Sequence, residues 1–332
     1  CIGKWGLGPP GSHADPNRIG FDRFFGYNCQ RQAHTFYPTH LWRNDAKLEL
    51  DGKTYSHDLL EKESLEWVRA NKAKPFFLYL AYTIPHVALQ VPDDSLDEYK
   101  GKWEETPYTG GKGYVPHPTP RAALAAMITR LDRSVGRLTD LLRELGLDKN
   151  TIVIFTSDNG AVEGSGGSDL KFFAGNGPLR DGKGSLYEGG IRVPFIAWGK
   201  GVPAGKTSDV QGAFYDMPAT LCALAGADAP PGDGRDLSAA ILGRDVAPPE
   251  FLYWEFPSYG GQQAVRMGDW KGVRTGLLKG PSPLQLYDLR NDLGETTDVA
   301  AKHPDVVARI EAIMKREHEP SALWRMKGLD GP

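Results

Sequence analysis

The sequence predicts an α/β fold with a small α+β subdomain at its C-terminal end. Three observations point there. Residues 76–82 and 151–156 are continuous apolar runs of strand length, the pattern of strands buried on both faces of a parallel sheet. Between them, Leu124, Met127, Ile128, Leu131, Val135, Leu138, Leu141, Leu142 and Leu145 recur at spacings of three and four, which predicts a helix over 121–146. After about residue 250 the texture changes to short apolar runs at 251–256, 262–267, 270–274 and 284–289, followed by a helical pattern over 304–317. That order predicts a small antiparallel sheet with one helix. With 332 residues and about 150 per domain, the expected division is an α/β domain over 1–248 and the subdomain over 249–332.

The elements follow in chain order. Residues 1–45 are rich in Gly, Pro, Asn and aromatics and read as ordered loop, because Trp5, Phe21, Phe24, Phe25 and Tyr27 need something to pack on. Leu59, Leu60, Leu65 and Val68 among Glu and Lys predict a helix over 58–72, with Asp58 near its start. Pro75 ends it and opens the first strand. Residues 93–120 are polar and rich in Gly and Pro, a surface excursion. Gly146 stops the long helix, and the order strand, helix, strand predicts a right-handed crossover and a parallel pair. A Gly-rich loop spans 160–190, a third strand 193–198, and a short helix 214–226, where Met217, Leu221 and Leu224 share a face.

Composition narrows the function. Lys and Arg number 39 against 42 Asp and Glu, a net charge of −3, so electrostatics give no case for a nucleic-acid partner. No apolar run approaches the ~18–20 residues that span a bilayer. Cys1, Cys29 and Cys222 allow one disulfide at most. The chain starts at Cys1 with no Met and no leader, so it is expected to be a fragment or a processed product.

In open α/β sheets ligands sit beyond the carboxyl ends of strands. Two predicted strands end in chemically loaded segments, Ile84-Pro85-His86 and Ser157-Asp158-Asn159-Gly160. A carboxylate beside an amide oxygen suits Ca²⁺ or Mg²⁺; Asp158-Asn159-Gly160 taken alone also reads as a plain turn. In residues 179–194, glycines flank Lys183, which makes an oxyanion cradle or a solvated loop lysine. A third segment, Gly3-Lys4-Trp5-Gly6-Leu7-Gly8, sets a lysine between glycines.

Together these segments resemble the sulfatase family. The resemblance rests on G-K-W-x-L-G at 3–8, P-F-F-L-Y-L-A-Y-x-x-P-H at 75–86, T-S-D-N-G at 156–160 and L-R-x-G-K-G-S-x-Y-E-G-G-I-R-V-P at 179–194, and extends through Gly268-Asp269-Trp270-Lys271 and Leu286-Tyr287-Asp288-Leu289 to about 320. It implies an alkaline-phosphatase-like mixed sheet between helices and hydrolysis of sulfate monoesters with a formylglycine and a Ca²⁺ ion. It implies Asp158 and Asn159 as Ca²⁺ ligands, Lys183 at a sulfate oxygen and the leaving oxygen, His86 as donor to the departing alcohol, and Lys4 on the formylglycine side. The implied partner is a sulfated small molecule or carbohydrate, met in the periplasm or outside the cell.

Two departures stand out. Gly6 occupies the position where the family usually carries His, and His13 and His34 are the nearby candidates to replace it. The C-x-P-x-R modification motif and the family's Asp-Asp pair are absent, and in the family both lie upstream of the G-K-W segment that opens this chain. The expectation is therefore an intact parent enzyme and an inactive chain alone, with a missing sheet strand that leaves apolar edges open to water. The alternatives are a phosphoesterase or phosphonate hydrolase of the same superfamily and a non-catalytic binder of sulfated glycans. For a sugar substrate, His34, His40, Trp42, Arg43, Tyr108 and His117 are the loop residues that could face it.

Overall fold

The computed structural model describes residues 1–111 and 113–331, and it divides into two compact units. The first comprises Cys1–Asn150 with Gly164–Asp169, the second Thr151–Glu163 with Leu170–Pro332. Both are α/β.

In the first unit, β1 (Ile2–Lys4), β2 (Phe25–Tyr27), β3 (His40–Arg43), β4 (Ala46–Glu49) and β5 (Leu80–Ala81) form a mixed sheet in the order β4-β3-β2-β1-β5. β1 runs parallel to both β2 and β5, and β2-β3 and β3-β4 are antiparallel. The close approach of β1 to its neighbours demands glycine. A Cβ on Gly3 would lie 2.0 Å from the Ala81 carbonyl oxygen, and one on Gly26 1.9 Å from that of Gly3. Helix α1 (Ser56–Asn71) contributes the fully buried Leu60 to the core of Ile2, Phe25, Tyr27 and Leu41. After the one-turn α2 (Asp93–Leu96), helix α3 (Pro120–Glu144) buries Ala123, Ala126 and Met127 with Phe36, Tyr55, Ile84, Val87 and Leu89.

The sheet corrects the sequence reading in two places. Residues 1–45 hold the whole of β1, β2 and β3 rather than loop alone; the missed signal is the Asn44-Asp45 turn, where Asn44 has φ 54° and its Oδ1 accepts from the Phe24 N–H at 2.8 Å. The run 76–82 is not buried on both faces. Leu78, Leu80 and Tyr82 pack on the core while Phe77 and Tyr79 are 60% and 47% exposed, the alternation of a strand covered on one side.

His57 is wholly buried in this unit. Its Nε2 lies 2.8 Å from Ser134 Oγ, its Nδ1 has no partner among the described residues, and its ring meets Tyr82 edge-on at 4.9 Å. Burial, partly opposed by Glu61, pushes its pKa down to about 4. An unfolded chain takes up a proton near pH 6.5 that the folded ring refuses until about pH 4. Stability therefore falls as pH drops through that window, by about 3 kcal/mol at roughly 1.4 kcal/mol per unit. Urea unfolding at pH 7 and pH 4 checks this: His57→Gln should flatten the loss by that amount, and an equal loss in the variant would contradict it.

In the second unit, β6 (Ile152–Thr156) pairs antiparallel with β7 (Phe195–Gly199). The expected parallel pairing of 76–82 with 151–156 is thus corrected: Leu80–Ala81 pairs with β1, and β6 with β7. The expected burial of 151–156 on both faces is also corrected, since β6 is half-buried along its whole length and its partner β7 leaves Phe195 and Ile196 45% and 59% exposed. Between these strands lie the one-turn helices α4 (Leu170–Phe173) and α5 (Glu188–Ile191), and beyond them α6 (Met217–Ala225) and α7 (Ser238–Ile241).

Strands β8 (Leu252–Phe256), β9 (Gln262–Met267), β10 (Trp270–Thr275) and β11 (Gln285–Asp288) form an antiparallel sheet in the order β11-β10-β9-β8, close to the predicted bounds. Helix α8 (Pro304–Glu317) lays Val306, Ile310, Ile313 and Met314 on Val265, Met267, Leu284 and Leu286. Gly272 permits that approach, since a Cβ there would lie 2.6 Å from Ile310 Cγ2. The chain ends with the one-turn α9 (Lys327–Asp330).

Candidate active site

The five residues singled out in the sequence fall into two groups. Lys4 and His86 belong to the first unit, Asp158, Asn159 and Lys183 to the second.

Lys4 is the last residue of β1, and His86 follows β5. Because β1 and β5 are parallel, both residues stand at the carboxyl edge of one sheet. His86 Nδ1 faces the Val87 carbonyl oxygen. Its ring stacks on that of His34, with centroids 5.1 Å apart and planes 9° from parallel, and Tyr114 lies 5.4 Å from His34 on its side. Of the two histidines considered for the place of Gly6, His34 thus joins His86, while His13 is exposed. Gly6 itself has φ 78°, and a Cβ there would lie 2.7 Å from Gln30 Oε1, so the backbone favours glycine there.

The other loop residues have local duties. Arg43 bonds Glu63 at 2.9 Å and covers the Phe25 ring, Tyr108 donates to the Gly111 carbonyl at 2.8 Å, and His117 Nδ1 accepts from the Thr119 N–H at 3.1 Å. His40 and Trp42 meet edge-on within β3.

In the second unit, backbone bonds staple 158–161 to 176–190. Gly160 N–H donates to the Gly190 carbonyl at 3.0 Å, and Lys183 N–H to that of Ala161 at 2.9 Å. Asn176 clamps the two from the side, accepting from Ala161 N–H at 3.0 Å and donating to the Asp181 carbonyl at 2.7 Å. The glycines serve this packing rather than flexibility. A Cβ would lie 1.7 Å from the Gly189 oxygen at Gly160, 2.2 Å from the Ala161 oxygen at Gly182, and 2.3 Å from the Arg180 oxygen at Gly189. The staple holds Asp158, Asn159 and Lys183 near one another at the end of β6. Asp158 is exposed and Lys183 half-buried, and neither side chain has an ion pair or hydrogen bond among the described residues. Asn159 Nδ2 donates to the Gly160 carbonyl at 2.9 Å, which leaves Oδ1 as an available acceptor.

Beneath the staple lies an ion network that the sequence reading missed. Lys271 Nζ is 2.7 Å from Glu188 Oε1 and 3.9 Å from Glu295 Oε1, and all three side chains are at most 2% exposed. Arg266 adds a bond to Glu188 at 3.1 Å, and Glu295 Oε2 accepts from the Glu188 N–H at 2.7 Å. Burial works against the Glu188 charge, but Lys271, Arg266 and Arg192 outweigh it and hold its carboxyl below the ordinary range. For Glu295 burial prevails over Lys271 and pushes the carboxyl up to about 7. The available signal was the phase of β10: Lys271 alternates in step with the fully buried Val273. Arg180 completes the support, bonding the Tyr287 hydroxyl at 3.0 Å and the Glu295 carbonyl at 2.8 Å with its guanidinium 3.8 Å over Tyr187.

No group of three or more His, Cys, Asp or Glu side chains able to hold a metal occurs among the described residues. No helix among them is long and apolar enough to cross a membrane. All three cysteines are free thiols.

Comparison with known proteins gives a consistent picture. The family model described as Sulfatase matches residues 1–227. The N-acetylgalactosamine-6-sulfatase of Canis lupus familiaris is 31% identical over 81% of this chain and 50% of its own length, so the chain spans about half the length of the curated relatives it matches. The crystal structure of Ps i-CgsB in complex with k-i-k-neocarrahexaose superposes with a TM-score of 0.75 at 28% identity, covering 95% of this chain and 70% of that one. The phosphonate monoester hydrolase SpPMH from Silicibacter pomeroyi, at 21% identity and a TM-score of 0.59 over 78% of this chain and 58% of its own, shares the fold.

Proposed function

The chain belongs to the sulfatase family, with its alkaline-phosphatase-like fold, and on that premise we propose that the full-length protein hydrolyses sulfate monoesters on a carbohydrate. The observation that carries this is the Lys183 ammonium, without an ion pair among the described residues and stapled beside the exposed Asp158 carboxylate and Asn159 amide oxygen. Uncompensated positive charge on a backbone fixed by direct hydrogen bonds suits an anionic group whose charge grows during reaction.

Each residue has a proposed task. Lys183 neutralises a sulfate oxygen and the negative charge that develops on the leaving oxygen, an interaction stronger in the transition state than before it. His86 protonates the departing alcohol: with Nδ1–H directed at the Val87 carbonyl, Nε2 carries the transferable proton of the imidazolium, and the His34 stack holds the ring plane. Lys4 binds a sulfate oxygen. Asp158 and Asn159 Oδ1 are hard oxygen donors that fit Ca²⁺ and would supply part of the roughly six to eight oxygens it takes. Bound there, the ion would supply Lewis-acid charge. None of Cys1, Cys29 and Cys222 precedes x-Pro-x-Arg, so these residues do not fit the formylglycine nucleophile of the family and no step is assigned to it.

A phosphoesterase or phosphonate hydrolase is the second reading, favoured by the fold shared with SpPMH. Initial rates of the full-length protein on 4-nitrophenyl sulfate and 4-nitrophenyl phosphate separate the two. Sulfate is expected to turn over at least about tenfold faster; preference for phosphate would select the second reading. Ca²⁺ at roughly a hundred times its Kd should stabilise the protein by about 2.7 kcal/mol, and Asp158→Ala should lose that gain. Equal stabilisation of both proteins would remove Asp158 from the metal site.

A further inference from the structure

The turn between β8 and β9 reaches the stapled loop. Gln262 Nε2 donates to the Gly184 carbonyl at 2.8 Å, and Gln262 Oε1 accepts from the Leu186 N–H at 3.0 Å. Tyr259 lies directly over Gly184, the residue after Lys183: a Cβ on Gly184 would meet Tyr259 Cε1 at 2.9 Å. Tyr259 is held at φ 51°, is 71% exposed, and stacks on Phe256 at 5.7 Å. Phe256 in turn lines a cleft of about 470 Å³ together with Trp324, 64% exposed, Glu319 and Ser321.

The loop that presents Trp324 is firmly tied. His318 bonds Glu255 at 2.7 Å and Asp330 at 3.1 Å, and Asp330 accepts from the Met326 N–H at 2.7 Å. Gly328 N–H donates to the Leu277 carbonyl at 2.7 Å, and Ser321 Oγ accepts from both Leu323 and Trp324 N–H at 3.3 Å. A large aromatic ring kept in water by a pinned loop, sharing a cleft with Phe256, on which the exposed Tyr259 stacks, is the makeup of a binding surface.

We infer that this cleft, lined by Phe256 and Trp324 with Tyr259 bridging Phe256 to Gly184, binds an uncharged sugar unit next to the sulfated one that Lys183 holds. Aromatic faces take up the C–H face of a pyranose. Glu319, exposed and without a partner among the described residues, accepts hydrogen bonds from the sugar hydroxyls. Its carboxylate repels a second sulfate, so the unit in the cleft carries none. The inference rests on the proposed function for the sulfated unit only.

The test uses the full-length protein and a panel of uncharged hexaoses built from galactose, N-acetylgalactosamine, glucose or mannose. The indole N–H resonance of Trp324, identified by its absence in Trp324→Phe, should shift saturably with at least one of them and lose that response in Tyr259→Ala. With a sulfated hexaose, Trp324→Ala should raise KM roughly tenfold relative to KM for 4-nitrophenyl sulfate, as expected for loss of one aromatic anchor. Leu323→Ala, at an 84% exposed neighbour outside the cleft, should leave that ratio unchanged. A Trp324 resonance indifferent to every hexaose overturns the inference, as does an unchanged KM ratio in Trp324→Ala. Sugar binding in a protein that cleaves no sulfate ester would overturn the proposed function and leave the cleft assignment standing.

Discussion

Replacing Lys183 with alanine is expected to lower kcat/KM of the full-length protein for a sulfate monoester by about a thousandfold, close to the loss seen when one preorganised charge-stabilising donor is removed. The physical basis is local. The Lys183 backbone is fixed by its bond to Ala161 and by glycines too crowded to move, while its ammonium has no competing partner among the described residues. Positive charge so placed needs no reorganisation as negative charge grows. The loss should appear in kcat more than in KM, because the interaction strengthens along the reaction. The same absence of protein partners means that the fold is spared, so the melting temperature of Lys183→Ala should match the parent. His86→Ala should differ in kind. If His86 protonates the leaving alcohol, its loss matters little for a nitrophenolate and greatly for a sugar alkoxide. Rates over a series of substituted phenyl sulfates measure both effects. A Lys183→Ala enzyme within about threefold of the parent, well short of the tenfold that roughly 1.4 kcal/mol brings, would remove Lys183 from the mechanism.

The second large effect is on stability. Lys271→Ala is expected to cost about 3–5 kcal/mol, because it strands Glu188 and Glu295 in the interior without the cation that lies 2.7 and 3.9 Å from them. Lys271→Met with Glu188→Gln should cost far less than the sum of the two single changes, since it removes both charges together. Glu295 supplies the internal check. Its folded pKa of about 7 lies above the ordinary value of 4.5, so its contribution is full below pH 4.5 and is lost as pH rises through 7. Glu295→Gln, which keeps an acceptor for the Glu188 N–H, should therefore be harmless or stabilising at pH 8. Urea denaturation of the parent and these five variants at pH 8 decides. A cost below about 1 kcal/mol for Lys271→Ala would mean that water, not Lys271, compensates these carboxylates. Because Glu188 belongs to the segment that carries Lys183, the same variant should also loosen that loop, visible as faster amide exchange over 180–190.

What the sequence determined by itself is periodic or covalently local. The long helix, the β8–β11 meander and α8 were legible because each repeats its apolar residues at 3.6 or 2.0 positions. The segments of His86, Asp158 and Asn159 were legible as strand ends and that of Lys183 as a Gly-rich loop, whereas Lys4 was read into a loop and closes β1. Pairing and burial were not. Residues 151–156 show the composition of a strand buried on both faces but carry no record of their partner, and the structure gives them β7, antiparallel. The glycines of 179–190 read as an oxyanion cradle or a solvated loop and proved to be close backbone contacts, since a missing Cβ reads the same in sequence whether it frees a loop or admits a neighbour. The coming together of Glu188, Lys271 and Glu295, of His34 with His86, and of Tyr259 with Gly184 was decided by tertiary structure alone. These residues lie tens of positions apart, and only the packing of distant segments sets the distances on which charge, stacking and catalysis depend.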